Sequence, residues 1–369
     1  MQEKKPLIPK PSNKPRYVLV IHGGAGTMSR EASTPEREAR YKTALSSALR
    51  AGHAVLQDGG EAMDAAVAAV MSMEDCPLFN SGKGAVFNVV GQNELEASIM
   101  LSRPPSSHPK IPHKRRGFSL TLLTRTRNPS HMVRELYLSP QSSPHPFLSG
   151  AAAETVGETL GEQLVDPSYF FTEARWREHR RGLGLPETPF PPGHVLSSPP
   201  SELNLDQLPT GTVGAVALDV HGCIVAVTST GGRTNKMAGR IGDTPHMGAG
   251  FWAEEWKTEG WIRRTWNKAL GRKSKQAVGV SGTGDGDYFI RQNTACTLAR
   301  RMQYLHEPLS KAAQYAVDDL RRVGGDGGLI AVDSEGHVAM PLNCPGMYRG
   351  LIGVDGIPKT AIFSDEELS

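Results

Sequence analysis

Three clusters that pair a hydroxyl residue with glycine, each at the edge of an apolar stretch, constrain this chain more than any other feature. Gly211-Thr212-Val213-Gly214-Ala215-Val216-Ala217-Leu218-Asp219 reads as a buried strand led by a threonine. Thr228-Ser229-Thr230-Gly231-Gly232 and Ser281-Gly282-Thr283-Gly284 repeat the pairing further along. Threonines beside glycine at strand ends build a poor core, but they suit an active site without a catalytic histidine or cysteine. If the chain breaks between Gly211 and Thr212, Thr212 gains a free α-amine beside its own hydroxyl. Such an amine titrates at about 7.7–8 when unperturbed, close to where a general base works best. One residue then carries nucleophile and base together, as in amino-terminal threonine enzymes.

A length of 369 residues accommodates one large or two ordinary domains, with a sizeable core either way. The net charge of +3, with 21% charged residues, is too mild to argue for a nucleic-acid partner. Forty glycines in 369 residues, about 11% against a usual ~7%, fall in short runs and predict tight turns and close backbone approaches. Cys76, Cys223, Cys296 and Cys344 show no CxxC pair and no zinc-like spacing, so they read as small buried residues in a reducing compartment. Met1 to Arg16 is rich in Lys and Pro without the apolar core of a secretory signal, and no apolar run is long enough to span a bilayer. The expectation is a soluble, cytoplasmic protein with no membrane and no nucleic-acid partner.

The run Tyr17 to His22 reads as a buried strand ending in Gly23-Gly24-Ala25-Gly26. Thr34-Pro35-Glu36 starts a helix that Gly59-Gly60 stops, and Glu61 to Met73 predicts a second, buried helix. A loop at Asn80-Ser81-Gly82-Lys83-Gly84 precedes an expected strand pair around Val86–Val90 and Leu95–Met100. Residues 103–116 read as a mobile basic surface loop, with an anionic contact as the alternative. Residues 1–15 and the proline-rich stretch 186–210 read as mobile or disordered. After Thr212, strands are expected at about 212–219, 223–229, 277–282 and 329–332, with a helix over 288–305. Strands flanked by helices on both sides suggest sheets packed face to face under helical layers.

Several familiar motifs do not hold up. His22-Gly23-Gly24 after a strand is like an esterase oxyanion loop, but the chain has no G-x-S-x-G elbow. Gly282-Thr283-Gly284-Asp285-Gly286 is a lone glycine cluster, too weak for a dinucleotide loop. Gly82-Lys83 is followed by Gly84, so no Walker pattern exists. Arg240 and Asp243, three residues apart in a glycine-rich loop, read either as a surface ion pair or as a grip on the two ends of an amino acid.

Five motifs in order resemble the plant-type asparaginase and isoaspartyl peptidase family of amino-terminal nucleophile hydrolases: His22-Gly23-Gly24-Ala25-Gly26; Asp75 through Val86; Gly211 through Asp219; Thr228-Ser229-Thr230-Gly231-Gly232 with Asn235-Lys236-Met237 and Gly239-Arg240-Ile241-Gly242-Asp243; and Gly282-Thr283-Gly284. The resemblance covers about 17–100 and 211–345, and more weakly 117–155. It implies an α+β fold, a four-layer αββα sandwich in a single domain, cut by the chain itself into an α chain of 1–211 and a β chain of 212–369. It implies a dimer of such pairs acting on L-asparagine and β-aspartyl dipeptides. By the same resemblance Thr212 is the nucleophile and its freed amine the base, while Thr230 hydrogen-bonds and tunes it. The Thr283 hydroxyl and Gly284 N–H form the oxyanion hole. Arg240 and Asp243 hold the α-carboxylate and α-ammonium of the aspartyl part, with Gly286 lending a carbonyl. Asn80 lies on the supporting loop, no cofactor is required, and backbone carbonyls of the 73–83 loop offer a place for a structural sodium ion.

The chain departs from that family at Phe251 to Gln276, an insertion carrying Trp252, Trp256, Trp261 and Trp266 among basic residues. It reads as a basic amphipathic helix forming a lid, or as a surface elaboration. Asp285 and Asp287 place two acids near the oxyanion loop, where they would repel a second negative group; Glu96 replaces a usual aspartate. Aspartylglucosaminidase-like or taspase-like threonine hydrolysis and an uncleaved, non-catalytic binding protein are the alternatives. The missing secretory signal disfavours the first, the fit of Arg240 and Asp243 to a free amino acid end the second, and the intact threonines the third.

Overall fold

The structure, a computed structural model, describes residues 17–26, 28, 30–31, 33–191, 211–257 and 275–369. Expectations for 1–15, for most of 186–210 and for the centre of the 251–276 insertion lie outside the described residues. Strand β1 is Val18–Gly26, followed by helices α1 (Pro35–Gln57) and α2 (Ala62–Glu74). Then come β2 (Leu95–Leu101), β3 (Gly117–Leu123), α3 (Pro129–Leu138), β4 (Phe147–Ser149), α4 (Gly150–Thr159) and α5 (Glu173–Gly182). The second half carries β5 (Val213–Leu218), β6 (Ile224–Thr230), β7 (Phe251–Lys257), β8 (Lys275–Gly284), α6 (Gly286–Gln292), α7 (Thr294–Tyr304), α8 (Leu309–Arg322), β9 (Gly327–Asp333), β10 (Val338–Ala339), β11 (Gly346–Ile352) and β12 (Lys359–Phe363). The start of α1 follows its local chemistry: the Thr34 side chain accepts the Arg37 N–H, Pro35 occupies the first turn, and Glu36 and Glu38 face the positive end of the helix dipole.

The strands form an eight-stranded sheet, ordered β12-β11-β1-β5-β6-β2-β3-β4, and a four-stranded sheet, β10-β9-β8-β7. The period-two alternation of strand side chains then sorts apolar residues between two faces. Leu19, Ile21, Val213, Ala215 and Ala217 of the larger sheet pack with Leu45, Leu49 and Val70 of α1 and α2. The alternate residues Val18, Val20, Val216 and Leu218 meet Ala277, Ile330 and Val332 of the smaller sheet. That sheet turns Val278, Val280, Leu329 and Ala331 outward onto Leu298 of α7 and Val317 of α8. Strands buried on both faces must be mostly apolar, which is why Val18–Ile21 of β1, β5 and Ile224–Val227 of β6 read as apolar runs. No helix among the described residues is long and apolar enough to cross a membrane.

Three local expectations are corrected and a fourth, on the 251–276 insertion, is narrowed. Residues 86–90 form loop and turn, because the Asn88 side chain accepts the N–H groups of Val90 and Gln92, each at 3.0 Å, and folds the segment back. The helix expected over 288–305 is two helices, broken at Asn293, whose φ of +49° is incompatible with a continuous helix. The 103–116 loop is tied down: Ile111 is buried, Arg115 donates to the carbonyls of Leu136 (2.7 Å) and Tyr137 (2.8 Å), and Arg103 pairs with Glu255 at 2.6 Å. The described ends of the 251–276 insertion are strand rather than helix, with β7 and β8 paired antiparallel from Phe251↔Ser281 to Lys257↔Lys275. Trp252 lies between the guanidinium groups of Arg116 (4.6 Å) and Arg300 (5.4 Å), so cation–π contacts of about 0.5–1 kcal/mol each fasten the hairpin to the body.

Candidate active site

Strand order brings the threonine clusters together. Thr212 stands at the head of β5, between β1 and β6, and is 7% exposed. Gly211, before it, is pressed against β1 and β8: a Cβ there would lie 2.5 Å from the Ala25 nitrogen and 2.6 Å from the Thr283 hydroxyl. The register of β1 against β11 shifts between His22 and Ala25, and Gly24 adopts a φ of +115°. That bulge re-aims the glycine segment, so the Ala25 N–H donates to Thr283 Oγ1 at 3.2 Å. Thr283 Oγ1 thus accepts one hydrogen bond and keeps its own proton to donate. Gly284 follows with a φ of +144°, where a side chain would collide with the Asp326 carbonyl.

Behind Thr212 lies a buried pair that bridges the two sheets. His22 Nδ1 is 2.9 Å from the Thr212 carbonyl, and Nε2 is 2.7 Å from Ser281 Oγ. A carbonyl only accepts, so Nδ1 carries the proton and Nε2 accepts from Ser281. Full burial pushes the pKa of His22 down to about 3, only partly offset by its bond to Thr212, so the ring is neutral. Gly214, opposite His22, makes the room: a side chain there would run into both His22 and Ser281. His22 therefore positions Thr212 and is no general base. Replacing Ser281 with alanine should leave buried Nε2 without a donor and cost about 1–3 kcal/mol of stability. Urea denaturation measures this, and an unchanged midpoint would contradict the assignment.

The Thr212 hydroxyl lies 3.3 Å from Thr244 Oγ1. Thr230, at the end of β6, instead accepts the Gly232 N–H at 3.0 Å. Asn80 braces the same turn, donating to the Gly232 carbonyl at 2.7 Å while its own carbonyl takes the Gly231 N–H at 3.0 Å. Next to Thr230, Ser229 donates to buried Glu74 at 2.6 Å; burial raises that carboxyl to about 7, although Ser229, Ser130 and Asn128 all donate to it.

The Arg240–Asp243 loop is clamped at Gly242. Its N–H donates to the buried Glu96 carboxylate at 3.0 Å, and its carbonyl accepts from His246 Nδ1 at 2.7 Å. Asp243 is 5% exposed and its Oδ2 has no partner among the described residues. Gly250 and Gly286 pack directly on this carboxylate, where a Cβ at Gly250 would lie 2.8 Å from Oδ2. Burial first, then the neighbouring charges of Glu96 and Asp287, raises its pKa to about 7. Arg240 reaches outward to Asp287 at 2.7 Å. Asp287 is therefore paired, although its charge still bears on Asp243, and the Arg240 guanidinium holds its carboxyl below the usual range.

The structure thus gathers Gly211, Thr212, Thr283 and Gly284 at one point, and Arg240, Asp243 and Gly286 at another. Sequence reasoning named Ser281 and Glu96 without their roles, and it missed Thr244 and the positioning role of His22. Thr244 and Ser281 each lie within two residues of a motif threonine or aspartate, which was the available signal. Among the described residues no cluster of three His, Cys, Asp or Glu is placed to hold a metal ion.

Comparison with known proteins adds an independent line. The family described as Asparaginase matches residues 15–258 and 271–362. The isoaspartyl peptidase of Escherichia coli K12 is 36% identical over 352 residues, covering 95% of this chain and 97% of its own. That of Salmonella typhimurium is 35% identical, covering 95% and 99%. The isoaspartyl peptidase/L-asparaginase of Macaca fascicularis is 31% identical over 331 residues, covering 86% and 87%.

Proposed function

The chain belongs to the Asparaginase family, and from that premise we propose that it is a self-processing threonine hydrolase releasing aspartate from L-asparagine and β-aspartyl dipeptides. The observation that carries the reading is the packing of Gly211 against the Thr283 hydroxyl, one residue from the buried Thr212 hydroxyl. In maturation, Thr212 Oγ1 attacks the Gly211 carbonyl carbon and the C–N bond breaks. An ester forms, and water hydrolyses it to a Gly211 carboxylate and a free Thr212 amine. The charge developing on the Gly211 carbonyl oxygen meets the proton that Thr283 keeps to donate, and a comparable donor elsewhere contributes roughly 3–4 kcal/mol.

In turnover the freed amine takes the Thr212 hydroxyl proton as the oxygen attacks the substrate's β-carbonyl. Ammonia or an amine leaves with a proton, and water releases aspartate from the ester. Asp243, a buried carboxylate with an unpartnered oxygen beside Gly286, suits an α-ammonium, whose N–H groups supply the missing donors. The guanidinium of Arg240 suits the α-carboxylate. Thr230 and Asn80 support the site from the turn after β6.

The layer order supports an αββα sandwich, processed to chains of 1–211 and 212–369 and paired as a dimer of such units. A sodium ion fits the carbonyl-lined 73–83 loop: a Cβ at Gly82 would strike the Glu74 carbonyl, and one at Gly84 would lie 2.7 Å from that of Pro77. Held by such carbonyls, the ion would stiffen the loop that carries Asn80. Four free cysteines fit a reducing compartment and support a cytoplasmic location.

Denaturing electrophoresis with mass spectrometry tests maturation, the expected products beginning at Met1 and Thr212. Aspartate release is expected from L-asparagine and from β-aspartyl dipeptides. Cleavage without turnover of either would point to a larger, taspase-like or glycosylated substrate. An uncut chain without activity would leave the non-catalytic reading.

A further inference from the structure

Before the cut, Thr212 lacks the base that it carries afterwards, because its nitrogen is still an amide. His22 does not replace that base: Nδ1 gives its proton to the Thr212 carbonyl, and Nε2 faces Ser281 at 2.7 Å. Among the described residues the Thr212 hydroxyl has one hydrogen-bond partner, Thr244 Oγ1 at 3.3 Å.

Both hydroxyls sit on backbone that is held from several sides. The Thr212 carbonyl is fixed by His22, and Gly211 is wedged against Gly24, Ala25 and Thr283. Across the gap, the Asp243 carbonyl accepts the N–H groups of His246 (3.0 Å) and Gly250 (3.2 Å), while Glu96 holds the Gly242 N–H at 3.0 Å. Thr244, next in the chain, is 1% exposed. A β-branched side chain has few rotamers to choose from, so fixed backbones also fix where the two hydroxyls meet.

To attack, Thr212 Oγ1 must turn a lone pair to the Gly211 carbonyl carbon, and its hydrogen must point elsewhere. Thr244 Oγ1 is the acceptor within reach. Hydroxyl pairs usually lie about 2.7–2.8 Å apart; the longer contact here directs the hydrogen without drawing the oxygen away. As the Oγ1–C bond forms and the C–N bond breaks, that hydrogen finishes on the Thr212 nitrogen, completing the new amine and leaving Thr244 unchanged. In later turnovers the amine takes the hydroxyl proton, so less depends on Thr244.

Resting on the self-processing hydrolase reading above, we propose that Thr244 is a positioning residue for maturation, accepting the Thr212 hydroxyl bond and so aiming the attacking oxygen at Gly211. The full chain is made by cell-free translation, and electrophoresis with mass spectrometry times the appearance of a product beginning at Thr212. Thr244→Val keeps the shape without the hydroxyl and should slow cutting about tenfold, the order of one hydrogen bond. For aspartate release from L-asparagine, kcat/KM per cut molecule should fall distinctly less, by about threefold at most. Thr244→Ser keeps the hydroxyl and should restore most of the cutting rate. If circular dichroism shows the valine chain unfolded, Thr244→Ala takes its place. A folded valine chain that stays uncut while the serine chain is cut also supports the proposal. Cutting at the unaltered rate without the hydroxyl, equal fractional losses of cutting and turnover, or a serine chain as slow as the valine chain would each overturn it. Those outcomes leave the hydrolase reading standing, whereas an unaltered chain that is never cut removes both.

Discussion

Thr212→Ala is expected to leave one uncut 369-residue polypeptide that releases no aspartate from asparagine or β-aspartyl dipeptides. On the proposed mechanism the substitution removes the oxygen that attacks Gly211, and with it the route to the free amine that serves as base. Nucleophile and base act as a unit, so the loss should be at least about four orders of magnitude rather than a graded decline. Thr212→Ser keeps the oxygen but loses the β-methyl that holds the rotamer, so slow cleavage and slow turnover are expected. Electrophoresis follows the cut and amino acid analysis follows the aspartate. An alanine variant cut at the same bond would dismiss Thr212 as the nucleophile. The fold should survive, since the Thr212 bond to His22 uses the backbone carbonyl, which alanine retains.

Asp243→Asn should separate function from stability. The carboxylate is 5% exposed and has an oxygen without a partner, so in the unliganded protein its charge is costly. Its pKa is raised to about 7, from an unfolded value of about 3.9. The sign follows: a group bound more tightly to its proton in the fold stabilises fully below about pH 4, and this is lost as pH rises through about 7. Above pH 7 asparagine should therefore raise the unfolding midpoint, by a free energy of at most about 4 kcal/mol, with no such gain below pH 4. The same substitution removes the partner of the substrate ammonium, and kcat/KM should fall by about 2–5 kcal/mol, some 30- to several-thousand-fold. In the unaltered enzyme kcat/KM should climb with pH through about 7 as Asp243 ionises. A variant that loses activity but gains no stability at pH 8 would mean that the carboxylate is solvated or partnered after all.

Parts of this site were legible because function and folding used the same short segments. Gly211-Thr212 heads β5, Thr283-Gly284 ends β8, and the Arg240–Asp243 loop is one local motif. The helix over 288–305 failed at Asn293, whose left-handed backbone no apolar periodicity reveals. The 103–116 loop was misjudged from its composition, because its arginines find carbonyls and carboxylates on α3 and β7. Glu96 lies 146 residues from the Gly242 N–H it accepts, and His22 lies 259 from Ser281. No local pattern encodes such pairs.

By itself the sequence determined the chemical inventory: threonines beside glycine at strand ends, a glycine directly before one of them, and strands apolar enough to be buried on both faces. Only the tertiary structure decided which form each group takes. His22 is a neutral donor because two sheets close over it, and the Thr212 carbonyl settles its tautomer. Asp243 keeps an unpartnered oxygen because Gly250, just before β7, and Gly286, at the start of α6, come against it without donors. Asp287, which composition cast as a repelling charge, pairs with Arg240 because α6 starts within reach of it. Protonation and pairing depend on burial and on distances of a few ångströms between segments remote in sequence, and those exist only once the chain has folded.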